Sequence, residues 1–288
     1  MANLRDVKKR IKSVSSTQQI TKAMKMVSAA KLRRAQEAIT AARPFANKMA
    51  EVIASLAMRT SPDAHPLLEV RDAKKAAIIV ITSDRGLCGS FNTNILKKAD
   101  ELIGELKAKG KEAVIIPLSR KANEYYKKSN VEILKYFEGV LGELTYQPSR
   151  EISEFVMSKF LENEIDEIHI VFTQFKSAIT QEIVSNQLLP LADSSTHGEE
   201  YPVEYIFEPS ANEILDELLN NYIVTQTLRA VLDSIASEHG ARMTAMDSAT
   251  NNASDMIKKL TLLYNRARQA SITTELVEIV SGAEALKG

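Results

Sequence analysis

The chain has 288 residues, 44% of them hydrophobic, with one cysteine, no tryptophan, and 37 basic against 37 acidic side chains. This composition is that of a globular protein. It excludes an internal disulfide, and no stretch reaches the roughly 18 apolar residues of a membrane-spanning helix. The even charge balance hides an uneven layout, because residues 1–60 carry 13 basic and 3 acidic side chains.

Residues 4–58 predict one long helix, since residues 1–60 contain no glycine and a single proline, Pro44. From Leu4 to Val14 the apolar residues follow the 3-4-3 spacing of a coiled-coil seam. The seam then shifts to a set made of Ile20, Met24 and Val27. Such a phase shift predicts local unwinding of a supercoil.

The first helix has a one-sided charge. Between Val7 and Gln36 it carries nine basic side chains and no acidic one. Charge runs are often an ordinary solvated face, but one this uniform repels itself unless an acidic surface lies nearby. Acidic protein loops, phosphates or anionic lipid are the expected neighbours.

The middle segment alternates strand-like and helix-like runs, which predicts a largely parallel sheet with helices on its faces. Strands are expected at residues 76–82, 112–118, 131–137 and 166–174. Helices are expected at residues 91–109, 120–128 and 149–163, the last with a capping start at Ser149. Residues 180–190 and 203–207 are expected to add antiparallel strands.

The last segment predicts a second long helix, from a capping box at Ser210 and Glu213 to about Leu286. Its clearest apolar seam keeps a 3-4 spacing over four heptads, a specific coiled-coil signal. The seam consists of Met246, Ala249, Ala253, Met256, Leu260, Leu263, Ala267, Ala270, Thr274 and Val277. Since the middle segment joins the end of the first helix to the start of the second, the two should pair antiparallel.

The predicted fold class is therefore α/β, with a long antiparallel coiled coil of N- and C-terminal helices plus a Rossmann-like α/β domain. The expected domains are an N-terminal coiled-coil helix at residues 1–60, an α/β foot domain at 70–208 and a C-terminal coiled-coil helix at 210–286. Two long helices leaving one compact domain favour a protein that reaches something or transmits force.

The segment Asp84–Ser90 lies between a predicted strand and a helix, where α/β folds often bind nucleotides. It matches neither glycine-rich phosphate-binding pattern, so a tight turn is the favoured interpretation. Cys88 within it has no identifiable base and is expected to be a buried structural thiol. The four histidines show no metal-ligand spacing. No catalytic, cofactor or metal site is predicted.

A polar cluster near the end of the last helix has two interpretations. Glu275 and Glu278 lie toward a helix C-terminus, where the helix dipole disfavours anions. They and their polar neighbours are either ordinary solvated surface or groups that pair with an outside partner. The neighbours include Arg268, Gln269 and Thr273.

Three motifs, in matching order and spacing, resemble the gamma subunit family of F-type ATP synthases over the whole chain. They are Ile20–Lys31, Ser83–Asn92 and Ile272–Ala285, and Arg242–Ala253 also fits. The resemblance implies a non-catalytic rotor shaft without a cofactor of its own. Such a shaft couples ion flow through the membrane c ring to ATP synthesis or hydrolysis on the beta subunits.

The resemblance also implies partners, namely the alpha and beta subunits of the catalytic ring, the epsilon subunit and the c ring. Lys22, Met24 and Lys25 would lie near a lever loop of beta. Arg268 and Gln269 would hydrogen-bond acidic residues of a beta loop. The other residues expected at the beta subunits are Arg242, Thr273, Glu275 and Glu278, and those expected to face the c ring are Tyr205 and Glu208.

The location follows from what the sequence lacks. Without a secretory signal or a convincing transit peptide, a bacterial source is favoured. The chain is then expected at the cytoplasmic face of the inner membrane as a peripheral protein, with no transmembrane segment of its own. A single cysteine also departs from photosynthetic gamma subunits, which carry a regulatory cysteine pair.

Two other functions remain open at this point. An α/β enzyme dimerised by its terminal helices would need a nucleotide or substrate pocket at Asp84–Ser90. A nucleic-acid-binding coiled coil would bind through residues 7–36 in a salt-sensitive manner. The acidic middle segment and the missing base-reading motif argue against a nucleic-acid partner.

Overall fold

The computed structural model describes residues 4–57, 65–142, 146–191 and 211–285. Long helices stand at both ends of the described chain, and five strands with three shorter helices lie between them. The elements are α1 (Leu4–Ala57), β1 (Lys75–Val80), α2 (Phe91–Ala108), β2 (Glu112–Pro117), α3 (Arg120–Tyr126), β3 (Glu132–Ile133), α4 (Tyr146–Leu161), β4 (Glu167–Phe175), β5 (Gln181–Leu189) and α5 (Ala211–Ala285).

The chain divides into two compact units. Unit 1 comprises Met1–Val27 and Met243–Gly288, and so contains the beginning of α1 and the latter part of α5. Unit 2 comprises Ser28–Arg242, with the whole sheet and the remaining parts of both long helices.

The sheet of unit 2 has the strand order β3-β2-β1-β4-β5. The first four strands are parallel, and β5 runs antiparallel to β4. From Ala76 to Val80, the central strand is completely buried, as expected for a parallel sheet covered on both faces. The predicted parallel sheet with an antiparallel addition is confirmed, while the predicted strand at 203–207 lies outside the described residues.

Two middle elements differ from their predicted bounds. The helix expected to start at Ser149 already includes Tyr146, and Ser149 lies buried inside it, where its carbonyl accepts a hydrogen bond from Ser153 Oγ at 2.8 Å. The strand expected over 131–137 has only two residues, because its continuation meets β2 through isolated hydrogen bonds. The predicted cap at Ser210 lies outside the described residues.

In unit 1 the two long helices pair antiparallel. The hydroxyls of Thr21 and Thr250 share a hydrogen bond of 2.8 Å, and Lys25 Nζ donates to Asp247 Oδ1 at 2.5 Å. Lys25 lies after Thr21 on α1, whereas its partner Asp247 lies before Thr250 on α5, so the two helices run in opposite directions. This geometry confirms the antiparallel coiled coil.

The predicted phase shift in the α1 seam is wrong. The 3-4 spacing continues without interruption beyond Val14, and its next positions are polar: Gln18, Thr21 and Lys25. Ile20 and Val27 instead lie outside, 56% and 58% exposed. Thr21 and Lys25 have hydrogen-bond partners on α5, so they can occupy the interface at little cost.

The seam predicted for α5 is correct at Met246, Ala253 and Leu260 and wrong at Met256 and Leu263. Its last positions, Ala270, Thr274 and Val277, are exposed as well. Met256 and Leu263 are 53% and 46% exposed. Their C-terminal neighbours, Ile257 and Tyr264, are the half-buried residues. This part of α5 has apolar side chains at adjacent positions, so spacing alone could not decide which of them α1 covers.

In unit 2, α5 is a buried element. Leu219, Ile223 and Ala236 are almost completely inaccessible to solvent. Polar side chains also tie the helix to the domain, since Ser153 Oγ donates to Thr227 Oγ1 at 3.1 Å and Ser237 Oγ donates to the Thr173 carbonyl at 3.2 Å.

Candidate partner-binding surfaces

The loop after β1, residues 83–90, is a tight turn. Leu87 and Gly89 have φ values of +65° and +61°, a left-handed backbone that glycine adopts freely and leucine rarely. Ser83 Oγ donates to the Arg85 carbonyl at 2.6 Å, which fixes the start of the turn. The glycine-rich stretch is thus explained by backbone geometry, as the sequence favoured.

Cys88 is a buried free thiol, 2% exposed, in agreement with its prediction as a structural residue. Asn92 Nδ2 and Ser83 Oγ lie 3.5 and 3.7 Å from its sulfur, and neither group is a base. Among residues that the structure describes, no group of three or more His, Cys, Asp or Glu side chains could hold a metal ion.

Arg242 was expected at a partner subunit, and the structure places its guanidinium inside unit 2, with the residue 7% exposed. Nε and Nη2 donate to the Gly86 carbonyl at 3.3 and 3.2 Å, and Nη2 also donates to the Arg85 carbonyl at 3.1 Å. Nη1 pairs with Glu238 Oε1 at 2.7 Å. A contact between Arg242 and a partner stays a prediction.

Burial shifts the pKa values of the groups around Arg242. Burial, together with the positive charges of Arg242 and Lys31, lowers the pKa of His239 to about 4. His239 is therefore neutral at pH 7, and its Nδ1 can accept a hydrogen bond from Arg242 Nη1 at 3.3 Å. Burial also raises the pKa of Glu238, and the ion pair with Arg242 opposes that rise.

The basic face of α1 is open to solvent. Of its nine basic side chains, all are exposed except Lys25, which is half-buried in the ion pair with Asp247. Lys22 is exposed and Met24 is half-buried. Ile20 and Val27, exposed on the same helix, add apolar surface that the sequence had assigned to the seam.

The last part of α5 presents apolar and polar side chains together. Every residue from Ile272 to Ala285 is exposed. The large apolar ones in this stretch are Ile272, Leu276, Val277, Ile279 and Val280. The predicted polar residues Arg268, Gln269, Thr273, Glu275 and Glu278 are exposed as well.

Two of these polar side chains bond to their own helix. Thr273 Oγ1 donates to the Gln269 carbonyl at 2.9 Å, and Ser271 Oγ donates to Glu275 Oε1 at 3.4 Å. Both bonds are exposed and leave the carboxylate oxygens accessible. The stretch can therefore offer acceptors, a guanidinium and apolar surface to a partner that encloses it.

The relatives of the chain agree over its whole length. A family profile described as ATP synthase matches residues 3–286. The ATP synthase gamma chain of Geobacter metallireducens is 52% identical over all of both chains, and that of Pelotomaculum thermopropionicum is 47% identical over the same extent. The chain belongs to the ATP synthase gamma chain family. The family identified from the three motifs is thereby confirmed, and with it the role of a non-catalytic subunit.

Solved structures share the gamma-family fold. The rotor of the Euglena gracilis mitochondrial ATP synthase matches with a TM-score of 0.65 at 20% identity, covering 93% of this chain and 98% of that one. The central stalk of the Tetrahymena thermophila enzyme, solved with its c-ring, matches with a TM-score of 0.59 at 24% identity, covering 80% and 99%. Long terminal helices with a central sheet are therefore a fold that this chain shares with solved structures.

One feature of this gamma-family chain escaped the sequence analysis. A cavity of 210 Å³ in unit 2 lies among α1, α4, β4 and α5, with Ile39, Phe175 and Leu232 in its wall. Asp233 also lines it and is 3% exposed. Burial raises the pKa of this carboxyl to about 6, against the opposing effects of Arg229, Arg43 and a hydrogen bond from the Phe175 backbone. The available signal was one acidic residue inside the apolar run Val231–Ile235.

The remaining expectations concern the membrane side of a gamma-family chain. Tyr205 and Glu208, expected to face the c ring, lie outside the described residues. Within the described ranges, no helix is long and apolar enough to cross a membrane.

Proposed function

We propose that the chain is the central rotor shaft of an F-type ATP synthase, which couples ion flow through the c ring to ATP turnover on the beta subunits. The observation that carries the proposal is the exposed end of α5. There, five large apolar side chains lie uncovered between Ile272 and Val280. Exposed apolar surface of this kind marks an interaction site, which suits a shaft end enclosed by a ring of alpha and beta subunits.

The charge of α1 supports the same partners. Acidic loops of the beta subunits would offset the repulsion within its basic face, and Lys22, Met24 and Lys25 would meet them. At the end of α5, Arg268 and Gln269 would donate hydrogen bonds to a beta loop. The coupling region would also include Arg242, Thr273, Glu275 and Glu278.

The remaining division of the chain is also part of the proposal. Residues 1–60 and 210–286 would form the shaft, and residues 70–208 would form the foot. The foot would contact the epsilon subunit and the c ring, with Tyr205 and Glu208 toward the ring. The gamma chains of Geobacter metallireducens and Pelotomaculum thermopropionicum are bacterial, which supports a peripheral position at the cytoplasmic face of the inner membrane.

Reconstitution tests the first part of this function. The purified chain alone should hydrolyse no ATP, whereas a mixture with alpha and beta subunits should do so and should retain the chain on purification. Robust hydrolysis by the isolated chain would contradict a shaft and favour the enzyme interpretation.

A single-molecule measurement tests rotation. Ile179, 87% exposed at the turn between β4 and β5, offers a site for a cysteine-linked bead. Cys88→Ser in the same chain avoids labelling the native thiol. With alpha and beta fixed to a surface, ATP should drive rotation of the bead in one direction. Hydrolysis without bead rotation would show that the chain is not a rotor.

A further inference from the structure

One turn of α5, residues 237–242, receives both loops that leave neighbouring parallel strands at their carboxyl ends. The loop after β1 reaches it through the Arg85 and Gly86 carbonyls, which accept from Arg242. The turn between β4 and β5 packs against Gly240, where an added Cβ would lie 3.3 Å from the Ala178 carbonyl oxygen. This turn is thus a junction between the sheet and the helix.

The guanidinium of Arg242 has no free donor in this arrangement. Arginine carries five N–H groups in a fixed plane. The Nε–H and the two Nη2 donors serve the two loop carbonyls, and the two Nη1 donors serve Glu238 and His239. A hydrogen bond from this guanidinium to another subunit would require at least one of these part-buried bonds to break.

We propose that Arg242 is a positioning residue that fastens the loop of residues 83–90 to α5, and that this attachment is needed for energy coupling. The coupling part rests on the proposed rotor function. The attachment itself does not, because every group that makes it belongs to this chain.

The surroundings explain why arginine is suited to this position. Its planar fork reaches two consecutive carbonyls while its other edge pairs with the buried Glu238 carboxylate. Removing the guanidinium would leave the buried Glu238 carboxylate and the Gly86 carbonyl without this donor, while the Arg85 carbonyl would keep the hydrogen bond from Ser83 Oγ. Leaving a buried carboxylate without its partner is costlier than losing an exposed bond.

The attachment determines what the loop presents. Arg85 and Leu87 are exposed, with Leu87 at 64%. The carbonyls of Arg85 and Gly86 nevertheless accept hydrogen bonds from Arg242. Ser83 fixes the start of the loop and the buried Cys88 anchors its later part, and Arg242 holds the two carbonyls between them. Fastened to α5, its exposed side chains keep one position relative to the helix.

Hydrogen exchange on the isolated full chain separates this role from a partner contact. In Arg242→Gln, backbone amides of residues 83–92 should exchange about tenfold faster or more, because charge-assisted bonds that close the loop are lost. Arg242→Lys, which keeps the charge but not the fork, should give a smaller increase. The matched control is Arg150→Gln, which removes the exposed Arg150–Glu154 pair of 2.7 Å on α4 and should leave the loop unchanged.

The reconstituted complex tests the coupling requirement. Ions pumped per ATP hydrolysed should fall in Arg242→Gln, fall less in Arg242→Lys, and stay normal in Arg150→Gln. If amide hydrogen exchange in residues 83–92 were unchanged in both Arg242 variants, the attachment would be overturned. The earlier prediction, that Arg242 contacts a partner subunit, would then stand. A loosened loop with a normal pumping ratio would overturn the coupling requirement. Neither result bears on rotation itself, which the bead assay measures in the parent chain.

Discussion

Replacing Asp233 with asparagine should stabilise unit 2 near neutral pH. The pKa of this carboxyl rises from an ordinary 3.8 to about 6 because the side chain is buried at the cavity. The fold therefore favours the protonated form, and ionisation costs stability as pH rises through the window between these values. The difference between the two pKa values corresponds to a loss of about 3 kcal/mol in the free energy of unfolding at pH 7.

The expected gain is smaller than that full amount. Asparagine keeps a carbonyl oxygen for the Phe175 N–H, but it loses the attraction to Arg229 and Arg43 that lowers the pKa of the acid. Allowing about 1 kcal/mol for the weaker hydrogen bond leaves a net stabilisation of about 2 kcal/mol at pH 7.5. At pH 5, where the folded wild-type carboxyl is mostly protonated, the ionisation cost falls by about half, and the net gain should shrink to about a third of its value at pH 7.5.

Urea unfolding of the isolated chain, followed by far-ultraviolet circular dichroism at both pH values, measures this difference. The control is Asp216→Asn, whose carboxylate on α5 is 72% exposed and should change stability by about 0.5 kcal/mol or less. Equal destabilisation by Asp233→Asn at both pH values would refute the reasoning, because it would show that the ionised carboxylate is a net stabilising partner.

Three further outcomes follow from named contacts. Lys25→Glu should lower the pumping ratio by reversing one charge within the basic face of α1. Adding Asp247→Lys restores an ion pair between the two positions, worth about 1 kcal/mol or less, but does not restore the positive charge on α1. Full recovery of the pumping ratio in the double variant would therefore contradict the role of the basic face. Arg268→Ala should weaken assembly with alpha and beta by about 1.5–3 kcal/mol while leaving the melting of the isolated chain unchanged, and normal assembly would rule out its contact. Gly240→Leu should destabilise the chain by about 1–3 kcal/mol through a clash with the Ala178 turn, seen as a lower melting temperature. Gly282→Ala, with open space around it, should be neutral or stabilising, and equal losses in both variants would exclude the clash.

The element types could be predicted because their signals are local. The absence of glycine and the rarity of proline indicated α1, and the β-branched run from Ala76 identified the central strand. The order of strands and helices then restricted the sheet to a largely parallel one. The family motifs added the function, which no spacing of catalytic residues could have supplied.

The seams show where local signals fail. An apolar residue at the correct spacing lies in an interface only if another helix covers that face of its own helix. Thr21 and Lys25 occupy the interface because Thr250 and Asp247 provide partners, while Ile20 and other apolar residues remain outside. Pairing across 222 residues of sequence is invisible to a helical periodicity.

The sequence by itself determined the long helices, the α/β sheet, the basic face of α1 and the family. Only the tertiary structure decided which residues of those helices are free to meet a partner. It left the end of α5 exposed, as the motifs implied, and buried Arg242 under the chain's own loop. The physical reason is that helix and strand formation depends on neighbouring residues, whereas burial and ion pairing depend on groups that folding brings from far along the chain.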